Sequence, residues 1–128
     1  MRILLISCRF PTDLQRDVQG TFRRFNLFLD AFKALAQLDL LFYVPATVDY
    51  SADAIATHQK ALSQHWGTPI NLFLCPQHTV DNSGPKWQRQ FAPIFDFRAQ
   101  GNFAITRGIQ QIETLETCLE RQPDAVFC

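Results

Sequence analysis

The sequence predicts an α/β fold, a parallel sheet of about four strands in the order 3-2-1-4 with helices on both faces. Three observations carry this. Short, continuously apolar runs recur along the chain, as strands buried on both faces of a parallel sheet require. Segments with helical apolar spacing lie between them. Prolines or glycines close most of the runs and helices.

Arg2 to Cys8 (RILLISC) is the first strand, followed by the polar loop Arg9–Gly20. That loop is long for a strand-to-helix connection, where about 2–6 residues is usual, and loops of such length are often functional. From Thr21 to about Ala36, Phe22, Phe25, Phe28, Leu29, Phe32, Leu35 and Ala36 recur on one helical face, with Arg23, Asn26, Asp30 and Lys33 opposite. Leu38 to Val44 is strand two, ended by Pro45. Ser51 is placed to cap a second helix, with Ile55, Leu62 and Trp66 on its buried side and Gly67 at its end. Ile70 to Cys75 is strand three, closed by Pro76. In the last helix Ile105, Ile109, Ile112, Leu115 and Leu119 step by helical intervals and form the expected buried face, while Glu113, Glu116 and Glu120 face solvent. Pro123-Asp124 leads into Ala125–Cys128, a fourth strand.

The length of 128 residues favours a single domain spanning 1–128, since domains commonly run to roughly 100–200 residues. Hydrophobic content of 47% with 19% charged residues is that of a chain that folds around a core. Positive and negative side chains balance at 12 each, so no overall field draws the protein to nucleic acid, and no nucleic-acid partner is expected. No segment approaches the roughly 18 apolar residues of a membrane span, and a cytoplasmic location is expected. Four scattered cysteines without a C-x-x-C pair read as reduced, mostly core-packed thiols.

Known cofactor signatures are missing. The first loop has Gly20 as its single glycine and strand two ends in Tyr43-Val44, so the dinucleotide fingerprint fails at both its glycines and its acid. No G-K-[ST] phosphate loop occurs, and Cys8-Arg9 and Cys75-Pro76 stand where a phospho-acceptor domain needs carboxylates. His58 and His65 share a helix side but sit two turns apart, roughly 10 Å, too far for one metal. No cofactor or metal is expected. Lys86–Arg98, with Trp87, Phe91, Ile94 and Phe95 among Lys86, Arg89 and Arg98, reads either as a crossover segment covering the sheet or as a basic amphipathic surface for peripheral contact with the inner face of a membrane.

One glycine opens a ligand reading. In doubly wound sheets ligands sit at the carboxyl ends of strands, and a glycine at a helix start lets backbone N–H groups approach an anion. Gly20 holds that place, and Arg24 lies one turn on, where a bound anion offsets the unfavourable dipole field on a cation.

The stretch from Ile3 to Val44 resembles the opening of the family 4 glycosyltransferases, retaining sugar transferases of the GT-B fold. The resemblance lies in ILLIS-x-RFP at Ile3–Pro11, the polar loop, and Gly20-Thr21-x-x-Arg24 starting an apolar helix; Pro123-Asp124-Ala125-Val126 before strand four is also typical. It implies the N-terminal, acceptor-side Rossmann-like domain of an enzyme that moves a sugar from a nucleotide-sugar donor to a sugar or lipid-linked acceptor. By that resemblance Gly20, Thr21 and Arg24 face the donor phosphates, with Thr21 where many members carry a second glycine. Arg9 and Arg16 in the first loop are candidates for acceptor contacts. The catalytic-region histidine and the donor-binding carboxylates of the family fall beyond Cys128, so no catalytic residue is assigned within this chain. The apolar last strand leads to the expectation that the native protein continues into a C-terminal domain and that this piece alone is inactive. The competing expectation is a free-standing, non-enzymatic α/β module for ligand binding or protein interaction.

Overall fold

The structure, a computed structural model, describes residues 1–11, 20–79 and 105–128. Its elements are β1 (Arg2–Ser7), α1 (Gly20–Phe32), β2 (Gln37–Val44), α2 (Ala52–Trp66), β3 (Ile70–Pro76), α3 (Ile109–Glu120) and β4 (Ala125–Phe127). All three strand pairings are parallel, and the sheet order is β3-β2-β1-β4. This is the Rossmann-like α/β architecture the alternation predicts.

β1 and β2 occupy the centre, with Ile3 paired to Leu38 and Leu5 to Leu40. Every residue of β2 after Gln37 is buried, which is why the run Leu38–Val44 shows no alternation of polar and apolar residues. Alternate side chains then divide the core in two. Ile3, Leu5, Leu38, Leu40, Phe42 and Val44 meet Leu29 of α1 and Leu62 and Trp66 of α2 on one face. Leu4, Leu41, Tyr43 and Cys75 meet Cys118 and Leu115 of α3 on the other. A leucine buried as fully as Leu29 contributes about 1.5–3 kcal/mol relative to solvent.

Two helices obey the sequence rules closely. α2 starts where the Ser51 side chain accepts from the Ala54 N–H and ends at Gly67, whose φ of 66° is the left-handed conformation that favours glycine there. α1 sets Phe25 between Phe42 and Trp66, at ring separations of 5.4 and 6.1 Å. Two of its assignments differ from expectation. Asn26, expected outward, is half-buried because its carbonyl accepts from the Trp66 indole at 2.8 Å. Leu35 lies past the end of the helix and is 66% exposed.

α3 departs further. The regular isoleucine spacing predicts Ile109, Ile112 and Leu119 against the sheet, yet they are 79%, 46% and 43% exposed. The buried line is Gln111 and Cys118, two turns apart, with Leu115 beside it. Polar contacts at the helix start set this rotation. The Gln111 side-chain amide donates to the Pro76 carbonyl, and the Gln111 backbone carbonyl accepts from the Tyr43 hydroxyl at 3.3 Å. Gly108 seats the turn tightly, since a Cβ there would overlap Gln111 Oε1 and lie 2.8 Å from His78 Nδ1. With Gln111 held inward, the isoleucine stripe turns sideways.

At the amino edge of the sheet a buried carboxylate joins three strands to the end of α3. Asp39 is 1% exposed; it accepts from Asn71 Nδ2 at 2.6 Å and from Arg121 Nε at 2.8 Å, and Arg2 Nε lies 3.8 Å away. Arg2 also donates to the Arg121 carbonyl at 2.6 Å, and Arg121 lies over the Phe73 ring. A buried charge is tolerated only when paired and hydrogen-bonded in this manner.

Candidate functional site

The opposite, carboxyl edge is open. A cavity of about 1100 Å³ lies there, lined from β1 and its continuation by Ile6, Ser7, Cys8 and Arg9. The ends of β2 and β3 add Tyr43, Pro45 and Gln77; Ile105, Thr106 and Leu115 come from the α3 side, and Cys128 follows β4. The order 3-2-1-4 reverses direction between β1 and β4, so this hollow sits at the topological switch point, where doubly wound sheets leave room for a ligand.

Gln77 holds the rim in shape. Its Nε2 donates to the Tyr43 carbonyl at 3.0 Å and to the Cys8 carbonyl at 3.5 Å, and its backbone N–H donates to the Val44 carbonyl at 2.8 Å. One side chain thus ties a carbonyl near the end of β2 to the carbonyl just past β1. Ser7 Oγ accepts from the Arg9 N–H at 3.2 Å and turns the chain out of β1. Tyr43 is buried, and burial, with smaller contributions from the thiols around it, pushes its hydroxyl up to about 12. It stays a neutral donor across the physiological range.

The chemistry of this lining is selective. Ile6, Leu115 and the Tyr43 ring offer apolar surface, and Ser7, Thr106 and Gln77 offer hydroxyl and amide groups. Arg9 is the cation among the described lining residues, which include no carboxylate and no histidine. Such a lining presents hydroxyl, amide and guanidinium groups beside apolar surface, a chemistry complementary to hydroxyl-bearing or anionic groups. Among the described lining residues the titratable side chains besides Arg9 are Tyr43 and the thiols of Cys8 and Cys128.

The structure brings together some of the expected residues and not others. Arg9 lines the cavity. Gly20 and Thr21 open α1; that helix ends beside the amino edge, where the Gln37 N–H bonds to the Met1 carbonyl, and its 13 residues span about 20 Å, so its start lies towards the carboxyl edge. The side-chain surroundings of Gly20 and Thr21 are outside the described residues. Arg24 is exposed on α1 and is not among the lining residues. Arg16 and the segment Lys86–Arg98 lie outside the described residues. His58 rests edge-on against Phe10 at 5.0 Å and His65 against Trp66 at 5.6 Å, both as ring contacts at the core edge.

Sequence reasoning passed over Ser7, Tyr43, Gln77 and Thr106. Three of these end strands, so the rule placing ligands at carboxyl ends was the available signal; Thr106 carried none. Among the described residues no cluster of three or more His, Cys, Asp or Glu side chains is placed to hold a metal, and no helix is long and apolar enough to cross a membrane. The chain matches no family model, no curated protein and no solved structure.

Proposed function

We propose that this chain is the N-terminal, acceptor-side half of a GT-B glycosyltransferase, which transfers a sugar from a nucleotide-sugar to a sugar or lipid-linked acceptor. The observation that carries the reading is the open hollow at the switch point of a parallel 3-2-1-4 sheet, whose described lining includes hydroxyl and amide groups and the Arg9 guanidinium. The order of loop, glycine and helix after β1 supports it.

In this reading the acceptor lies against the carboxyl edge, with Arg9 and Arg16 contacting it from the first loop. The backbone N–H groups of Gly20 and Thr21, assisted by Arg24, face the diphosphate that departs from the donor. Preorganised donors aimed at that developing charge lower the barrier without moving a proton, and this is the largest catalytic contribution available to this half. The donor's base and sugar, and the groups that complete the reaction, belong to a C-terminal partner domain. The chain alone is inactive, and the whole protein works in the cytoplasm, with Lys86–Arg98 as a surface for peripheral contact with the membrane's inner face.

The test is turnover. A protein carrying both halves is incubated with a panel of nucleotide-sugars, and release of the nucleoside diphosphate is followed for wild type and Gly20→Val. The expected outcome is turnover with one donor and a loss of tenfold or more, about 1.4 kcal/mol, in the variant. Equal donor affinity and equal turnover in Gly20→Val would remove the phosphate assignment.

A further inference from the structure

The four cysteines are dispersed along the sequence, yet Cys8, Cys75 and Cys118 pack in one cluster with Tyr43 on the α3 side of the sheet, and Cys128 lines the same cavity as Cys8 and Tyr43. Two are committed to packing. Cys118 is fully buried, and the buried Cys75 thiol meets the Pro76 and Gln110 carbonyls and accepts from the Thr114 hydroxyl. The other two differ. Cys8 is half-buried, Cys128 is exposed, and both line the carboxyl-edge cavity.

Their placement follows from the strand register. β1 and β4 are adjacent and parallel, with Leu4 opposite Val126 and Leu5 opposite Phe127. Continued by one residue, that register sets Cys128 beside Ile6. Paired residues of neighbouring strands point to the same face, so Ile6, Cys8 and Cys128 share the α3 side. Strands lie about 4.8 Å apart and advance about 3.3 Å per residue, so a two-residue stagger puts the two Cα atoms on the order of 8 Å apart. A disulfide spans about 4.4–6.8 Å. Cys8 and Cys128 each follow the last paired residue of their strand, Ser7 and Phe127, and a shift of about 1–2 Å closes the difference.

We propose that Cys8 and Cys128 form a redox-active pair, which closes to a disulfide across the mouth of this cavity when the protein meets a small-molecule disulfide such as oxidised glutathione. The exposed Cys128, as thiolate, attacks one sulfur of the oxidant; a Cys128–glutathione bond forms and one glutathione thiolate leaves. Cys8 loses its proton to solvent and attacks Cys128 Sγ, expelling the second glutathione thiolate. Two protein thiols are oxidised, one disulfide is reduced to two thiols, and the two protons end on the departing glutathiones. Burial and the neighbouring Cys128 hold the Cys8 thiol above its ordinary range, which assigns the first attack to Cys128. The bond ties the end of β1 to the end of β4 and narrows the hollow between them. The pair does not depend on which ligand the cavity takes.

The chain, reduced and then exposed to excess oxidised glutathione, is alkylated under denaturing conditions and weighed intact. The expected product is a monomer with two alkylated thiols, a mass lower by two hydrogens than the fully reduced chain before alkylation, and a peptide linking Cys8 to Cys128. Dithiothreitol should reverse it. Cys8→Ser should stop at a glutathione adduct on Cys128, Cys128→Ser should form no cross-link, and Cys75→Ser should behave as wild type. Four free thiols after treatment, a stable glutathione adduct in the wild-type chain, or a bond between two chains would each overturn the proposal.

Discussion

The two ends of the sheet use polar side chains in opposite ways. At the amino edge Asp39, Asn71, Arg121 and Arg2 close on one another, and their charges are spent on the fold. At the carboxyl edge Ser7, Gln77 and Thr106 stand around a hollow with a single cation among the described lining residues. The same parallel strands supply both edges, and what separates them is burial: at the amino edge an ion-paired carboxylate is sealed at 1% exposure, whereas at the carboxyl edge neutral polar groups bonded to backbone border an open cavity. The amino edge holds the molecule together. The carboxyl edge borders the cavity with its own bonded groups.

Breaking the amino edge should have the largest effect. Asp39→Ala removes the acceptor shared by Arg121 and Asn71 and the ion partner of Arg2, and the expected loss is on the order of 3 kcal/mol in urea unfolding. A loss below about 1 kcal/mol would mean that the network is a surface feature. Gly108→Ala comes next. It forces a methyl against Gln111 and His78 at the rim and should cost about 1–3 kcal/mol, because Gln111 is buried and held by Pro76.

A pH experiment sharpens the comparison at the rim. Burial raises the Tyr43 hydroxyl from its ordinary value of 10.0 to about 12, and burial lifts Cys118 to about 11. An acid whose folded pKa exceeds its unfolded value loses its stabilising contribution as pH climbs from the unfolded to the folded value. Unfolding free energy should therefore be level below about pH 9 on this account and fall progressively up to about pH 12. In Tyr43→Phe that fall should be shallower. An identical slope in the variant would place the tyrosine's ionisation outside the folding equilibrium.

The smallest effect is expected on the outer flank of α3. Ile109→Gln should change stability by no more than about 0.5 kcal/mol, since the residue is largely in solvent. A cost of several times that, in the same urea assay, would restore the isoleucine stripe to the core.

Much of the fold was legible because it rests on local signals. Apolar runs closed by Pro45 and Pro76 became β2 and β3, and Ser51 and Gly67 bounded α2 within one residue. Alternation of strand and helix was enough to order the sheet. The rotation of α3 was not legible, because it is set by contacts of Gln111 with Pro76 and Tyr43, partners distant in sequence. Asp39 read as one polar residue in an apolar strand; its partner Arg121 is 82 positions away. The site divides in the same manner. Arg9 was identifiable from its place after β1, whereas Gln77 gains meaning only when three strand ends are brought together around it.

The most direct test of the central claim, that the carboxyl edge is where a ligand binds, is amide chemical-shift mapping of the chain during titration with a nucleoside diphosphate and, separately, a simple hexose. Binding to this half should move the amide signals of Ser7, Arg9, Gln77 and Thr106 with one of the two probes, and leave those of Arg2, Gln37 and Asp124 in place. Shifts confined to the amino edge, or none with either probe at millimolar concentration, would contradict it.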